Sequence, residues 1–147
     1  VIGVLIVTHG RLAEELRLAA GTIQPDVGRI VAVALEWKET GEDARSRIAR
    51  GLAQADEGQG VVILTDMFGG TPTNLTLSFL QKERVEIVTG VNLPMVLKCV
   101  ALQGSGRPVA EVARIVRDRG QRSIYVASDL LADDGSEGSP VAERQET

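Results

Sequence analysis

Short apolar runs alternate with longer amphipathic stretches along this chain. VIGVLIV (1–7), RIVAVAL (29–35), GVVILT (60–65), VEIVTG (85–90) and SIYVA (123–127) are rich in β-branched residues and bounded by turn formers, the pattern of buried strands. Between the first two runs, Leu12, Leu16, Ala19, Ala20 and Ile23 recur at spacings that share one helical face. The next crossover opens at Thr40 with Asp43 three residues on, a capping-box spacing, and strings Ala44, Ile48, Leu52 and Ala55 on one stripe. A third helix is predicted from Thr71-Pro72, because Thr can cap free amides and Pro in the first turn has no N–H to leave unpaired. Leu75, Phe79 and Leu80 would form its inner face. Residues 91–102, with Pro94 in the first turn, and residues 108–119, with Val109, Val112, Ala113 and Val116 inward and Gly120 as the stop, complete the helices.

Strand and helix in alternation predict right-handed crossovers, hence an α/β fold with a doubly wound, mainly parallel five-stranded sheet and helices on both faces. SIYVA, reached after two consecutive helices, is expected as the C-terminal edge strand. With 147 residues, one domain is expected and no internal repeat is visible. Only 3% of residues are aromatic against 44% hydrophobic, so the core is built from Val, Leu, Ile and Ala, as in a sheet covered on both faces.

Charge divides the chain. Residues 129–147 hold six acids and one Arg, leaving 15 basic and 14 acidic residues in 1–128. The body is near neutral, and DLLADDGSEGSPVAERQET is expected to be an acidic, disordered tail. No basic stripe or aromatic platform supports nucleic-acid binding. The opening apolar run is too short to span a bilayer and leads into His9 and Gly10 rather than a small-residue cleavage site, so neither export nor membrane insertion is expected. A single cysteine, Cys99, reads as a small core residue of a protein from the reducing cytoplasm.

In open parallel sheets, ligands sit outside the carboxyl ends of the strands. There the chain places its only histidine, in His9-Gly10 after strand one, Asp66-Met67-Phe68-Gly69-Gly70-Thr71-Pro72-Thr73-Asn74 after strand three, and Gly90-Val91-Asn92-Leu93-Pro94 after strand four. A carboxylate holding one imidazole nitrogen sets the tautomer and leaves the other nitrogen nucleophilic, with Asp66 as the natural holder of His9. Gly69 and Gly70 would let the backbone approach an anion, and amides near Thr71 could bind phosphoryl oxygens. Gly10, Phe68, Asn74, Asn92 and Pro94 would line the pocket. Singly, each feature has a plainer reading: a structural histidine, a turn with a helix cap, an aspartate closing a loop. Their coincidence at one sheet edge points to phosphoryl chemistry.

These motifs, THG at 8–10, TDMFGGTPTN at 65–74 and TGVNLPMV at 89–96, resemble the mannose-family EIIA domain of the bacterial phosphoenolpyruvate-dependent sugar phosphotransferase system, over about residues 1–128. The phosphotransfer subunit of dihydroxyacetone kinase shares that fold, but its loop after strand three differs. The resemblance implies that His9 accepts a phosphoryl group from the carrier HPr and that Asp66 orients it, with Thr71 near the phosphoryl group. Neither cofactor nor metal is implied. It further implies an antiparallel C-terminal edge strand, a homodimer in which that strand can exchange, and an EIIB protein as acceptor. The acceptor is expected to be a separate protein, serving sugar uptake or regulation linked to the phosphotransferase system. Three other readings are weaker. A receiver-like domain phosphorylated on Asp66 needs an acidic pair for Mg²⁺ where this chain has Thr8 and His9; a nucleotide-binding module needs a glycine-rich loop or P-loop that is absent; a scaffolding subunit leaves the convergence of motifs unexplained.

Overall fold

The computed structural model describes residues 1–25, 29–69 and 74–132. Strands β1 (Gly3–His9), β2 (Ile30–Leu35), β3 (Val61–Thr65) and β4 (Val85–Val88) form one sheet in the order β2-β1-β3-β4, and every pair is parallel. Helices α1 (Leu12–Ile23), α2 (Gly41–Ala55), α3 (Leu93–Leu102), α4 (Val109–Arg122) and α5 (Ala127–Ala132) accompany it, with a 3-10 helix over Leu75–Phe79.

Successive strand residues point to opposite faces, and the core divides accordingly. Val4, Ile6, Val62 and Leu64 pack against Ala13 and Ala20 of α1, Val96 and Cys99 of α3, and Val112 and Val116 of α4. Leu5, Val7, Val33, Leu35 and Ile63 pack against Ala44 and Ile48 of α2, with Leu75 and Phe79 of the 3-10 helix closing that side. Burial pushes the Cys99 thiol up to about 12, so it stays protonated at neutral pH and unreactive.

Helix capping follows the sequence at two places. Asp43 N–H donates to Thr40 Oγ1 (3.1 Å) at the start of α2, and Met95 N–H donates to Asn92 Oδ1 (3.1 Å) at the start of α3. At the start of α1, Ala13 N–H donates to the buried Thr8 Oγ1 (2.7 Å), which draws the small face of Ala13 and Ala20 onto the sheet and turns Leu12 outward.

Four expectations need correction. The fifth strand is not seen among the described residues: Ser123 to Val126 run as coil and lead into α5, with Ile124 74% and Val126 64% exposed. A strand needs a neighbouring strand to pair its amides and carbonyls, and among the described residues this segment has none beside it; instead Ile124 N–H donates to the Gln121 carbonyl (3.4 Å), and the Val126 carbonyl accepts from the Asp129 and Leu130 N–H groups (3.0 and 3.3 Å). α5 also carries regular structure into the first residues of the predicted tail, up to Ala132; residues 133–147 lie outside the described residues. Where a helix was expected from Thr71-Pro72, the described part is only the 3-10 helix, and Leu80 faces solvent; residues 70–73 lie outside the described residues. Thr76 and Ser78 are poor helix formers, and Ser78 Oγ donates to the Leu75 carbonyl (2.6 Å), competing for the backbone acceptor. Gly120 does not stop α4, which continues to Arg122. A Cβ there would come within 2.5 Å of Met95, so this glycine serves close packing between α3 and α4.

Gly3 has a similar constraint, but against backbone: a Cβ there would lie 2.1 Å from the Ala55 carbonyl oxygen at the end of α2. Gly3→Ala is therefore expected to lower stability by roughly 1–3 kcal/mol, as overpacking does. Gly21→Ala in α1, where a Cβ would meet nothing within 4 Å, is expected to raise it by up to about 1 kcal/mol. Urea midpoints at unchanged slope measure both, and equal midpoints for the two variants would contradict this packing.

Candidate functional site

The strand order reverses direction between β1 and β3. From β1 the chain first adds β2 on one side and then crosses to β3 on the other, which opens a crevice at the carboxyl ends of these two strands. Parallel register pairs Val7 with Thr65 and His9 with Leu35, so Asp66, one residue past β3, arrives beside the last turn of β1. His9 is the final residue of β1, with the same parity as Leu5 and Val7, and therefore emerges on the α2 side of the sheet.

Asp66 closes this junction. Its Oδ2 accepts from the His9 backbone N–H (3.0 Å) and stands 3.0 Å from His9 Nδ1, while its Oδ1 accepts from Met67 N–H (2.8 Å). A carboxylate offers only acceptors, so the contact assigns the ring proton to Nδ1 and leaves the Nε2 lone pair unprotonated in the neutral ring. The side chains of His9 and Asp66 are 9% and 16% exposed, sheltered from water yet open at the sheet edge.

The flanking loops are anchored to the same strand ends. Gly10 adopts φ +58°, a left-handed conformation that favours glycine, and donates its N–H to the Leu35 carbonyl (2.8 Å). Gly69, at φ +146°, donates to Asn74 Oδ1 (3.2 Å), which ties the residue before position 70 to the residue after position 73. Gly70 and Thr71 themselves lie outside the described residues. Met67 and Phe68 are exposed. After β4, Gly90 N–H donates to the Asp66 carbonyl (3.2 Å) and Val91 N–H to the Thr65 carbonyl (2.9 Å). Pro94 occupies the first turn of α3, and the Asn92 side chain is divided between capping Met95 and donating Nδ2 to the Gly120 carbonyl (3.2 Å). Asn92 thus joins α3 to the end of α4. The Thr65 and Thr76 hydroxyls are buried without a hydrogen-bond partner among the described residues.

One site residue was not anticipated. Trp37, the chain's single tryptophan, stacks on His9 with ring centroids 4.9 Å apart and planes at 26°. Its place just after strand two, at the same sheet edge as the three motifs, was the available signal. Among the described residues, no group of three or more His, Cys, Asp or Glu is arranged to hold a metal ion, and no helix is long and apolar enough to cross a membrane.

The protein is thus a doubly wound α/β protein with a carboxylate-held histidine at its switch point. Residues 3–116 match the EIIA-man family, described as PTS system fructose IIA component, and the chain belongs to that family: it is an EIIA component of the sugar phosphotransferase system. It is 28% identical over 131 residues to the fructose-specific EIIA component of Bacillus subtilis, covering 88% of this chain and 89% of that protein. It is 30% identical over 130 residues to the mannose-specific EIIAB component of Escherichia coli, covering 84% of this chain but only 38% of that longer protein. The EIIA structure from Streptococcus agalactiae superposes with a TM-score of 0.77 at 21% identity, over 87% of this chain and 98% of that one, and shares the fold.

If Asp66 sets the tautomer, Asp66→Asn should release it, because the amide presents a donor as well as a weaker, uncharged acceptor to the ring. Nitrogen-15 NMR of the neutral imidazole is expected to show protonated Nδ1 alone in the native protein and both tautomers in the variant. An unchanged spectrum would remove Asp66 as the determinant.

Proposed function

We propose that this EIIA component carries its phosphoryl group on Nε2 of His9, receiving it from HPr and delivering it to an EIIB protein. The observation that carries this reading is the Asp66–His9 contact, which leaves a lone pair at the carboxyl edge of the sheet, where the family's reaction needs a nucleophile. Asp66 orients the ring and offsets the charge that the ring gains when Nε2 is phosphorylated. Gly69, Gly70 and Thr71 would contact the phosphoryl oxygens, with amides as donors. Nε2 displaces the donor's imidazole from phosphorus, so no cofactor enters the step. The carrier would work in the cytoplasm, in sugar uptake or in regulation tied to it.

Incubation with phosphoenolpyruvate, enzyme I and HPr is expected to add one phosphoryl group that is lost in acid and survives base. His9→Ala should abolish labelling. A base-labile acyl phosphate on Asp66 would overturn the assignment and favour receiver-like chemistry.

A homodimer is the second part of the proposal. Ile124 and Val126 are apolar, solvent-facing and two residues apart, the spacing of one strand face, and among the described residues no strand pairs with them. Exchange of this segment onto the sheet edge of a second copy would cover both side chains. Sedimentation equilibrium should give twice the 15.7 kDa chain mass at micromolar concentration. A monomer would reject the proposal.

A further inference from the structure

The Trp37 stack has a chemical consequence for His9. Trp37 belongs to a braced turn rather than a loose loop. Glu39 N–H donates to the Glu36 carbonyl (3.1 Å), Glu36 N–H donates to Glu39 Oε2 (3.1 Å), and Arg47 Nη1 of α2 reaches both Glu39 oxygens at 3.0 and 2.9 Å. This turn directly follows Leu35, the register partner of His9, so the indole and imidazole leave adjacent strands on the same face of the sheet. The indole is 78% exposed, so burial in the core does not explain its position.

We propose that Trp37 is a positioning residue that favours the phosphorylated state of His9, an inference that rests on His9 being the acceptor. During transfer, the Nε2 lone pair attacks the phosphorus of the donor's phosphohistidine. An Nε2–P bond forms as the donor's N–P bond breaks, and the electron pair of that bond returns to the donor ring. No proton leaves His9, because its Nδ1–H stays on the ring and keeps donating to Asp66 Oδ2. The neutral imidazole therefore becomes an imidazolium bearing a phosphoryl group. A cation within about 6 Å of an indole face is attracted by its quadrupole, whereas a neutral ring gains only the stacking contact. The stack thus stabilises the product side of the transfer more than the reactant side. It also restrains rotation of the ring away from Asp66.

The test uses the 147-residue chain as wild type, Trp37→Phe and Trp37→Ala, each brought to equilibrium with phosphorylated HPr, the phosphohistidine fraction being read by phosphorus-31 NMR. Trp37→Ala is expected to shift the equilibrium back toward phospho-HPr by roughly two- to five-fold, the range of an exposed cation–π contact, and Trp37→Phe by less. In parallel, the His9 ring-proton resonances should move downfield in Trp37→Ala as the indole ring current is lost. Wild-type protein that takes no phosphoryl on His9 would sink the acceptor assignment itself. Wild-type phosphorylation on His9 with the same equilibrium in all three proteins would overturn the role of Trp37 alone. A slower rate at unchanged equilibrium would overturn it equally, making the indole a docking contact.

Discussion

One carboxylate joins two strand ends and holds the imidazole between them. Asp66 accepts from the backbone of His9, from its ring and from Met67, so the same three contacts that finish the β1–β3 edge also orient the imidazole. Hydrogen bonds to an ionised acceptor are stronger than neutral ones, and here they act on a ring already shielded from most water. Removing the carboxylate would leave a partly buried backbone amide unpaired as well as a free ring. The strand edge and the orientation of the imidazole are therefore coupled through one side chain.

That coupling needs a rigid frame, which the two-sided core supplies. β1 and β3 are buried along nearly their full length, and close helix approach depends on small residues: Gly3 against the end of α2, Gly51 against Val33 and Leu5, Gly120 against Met95. The loops after β3 and β4 then hang from backbone hydrogen bonds to Thr65 and Asp66, and Asn92 locks the start of α3 to the last turn of α4. Each loop is fixed at its root on the sheet. Past the root of the loop after β3, Met67 and Phe68 face solvent, as loop residues carried on a rigid scaffold do.

The site is asymmetric across the sheet. Thr8 faces α1 and spends its hydroxyl on Ala13, whereas His9, the next residue, faces the α2 side, where Trp37 meets it. A one-residue slip of β1 would exchange these places and turn the imidazole beneath α1, so register decides which side of the sheet His9 faces. The full core pairing of Val4, Leu5, Ile6 and Val7 with β2 and β3 opposes such a slip.

The sequence alone determined the alternation of elements, the four core strands, the Thr40 and Asn92 helix starts, and the meeting of His9 with Asp66, because each depends on local periodicity or on the rule that loops at strand carboxyl ends converge. Tertiary structure decided the rest. Leu12 carries a core-like period yet faces solvent, since the Thr8–Ala13 bond sets the rotation of α1. Gly120 looks like a stop but is a contact with Met95, which lies on another helix and is invisible to a local pattern. The run at 123–127 has strand-like composition, but a strand needs a neighbouring strand, and the described residues offer it none. Trp37 reached the site only because register set Leu35 beside His9, a relation between distant residues that spacing along the chain does not express.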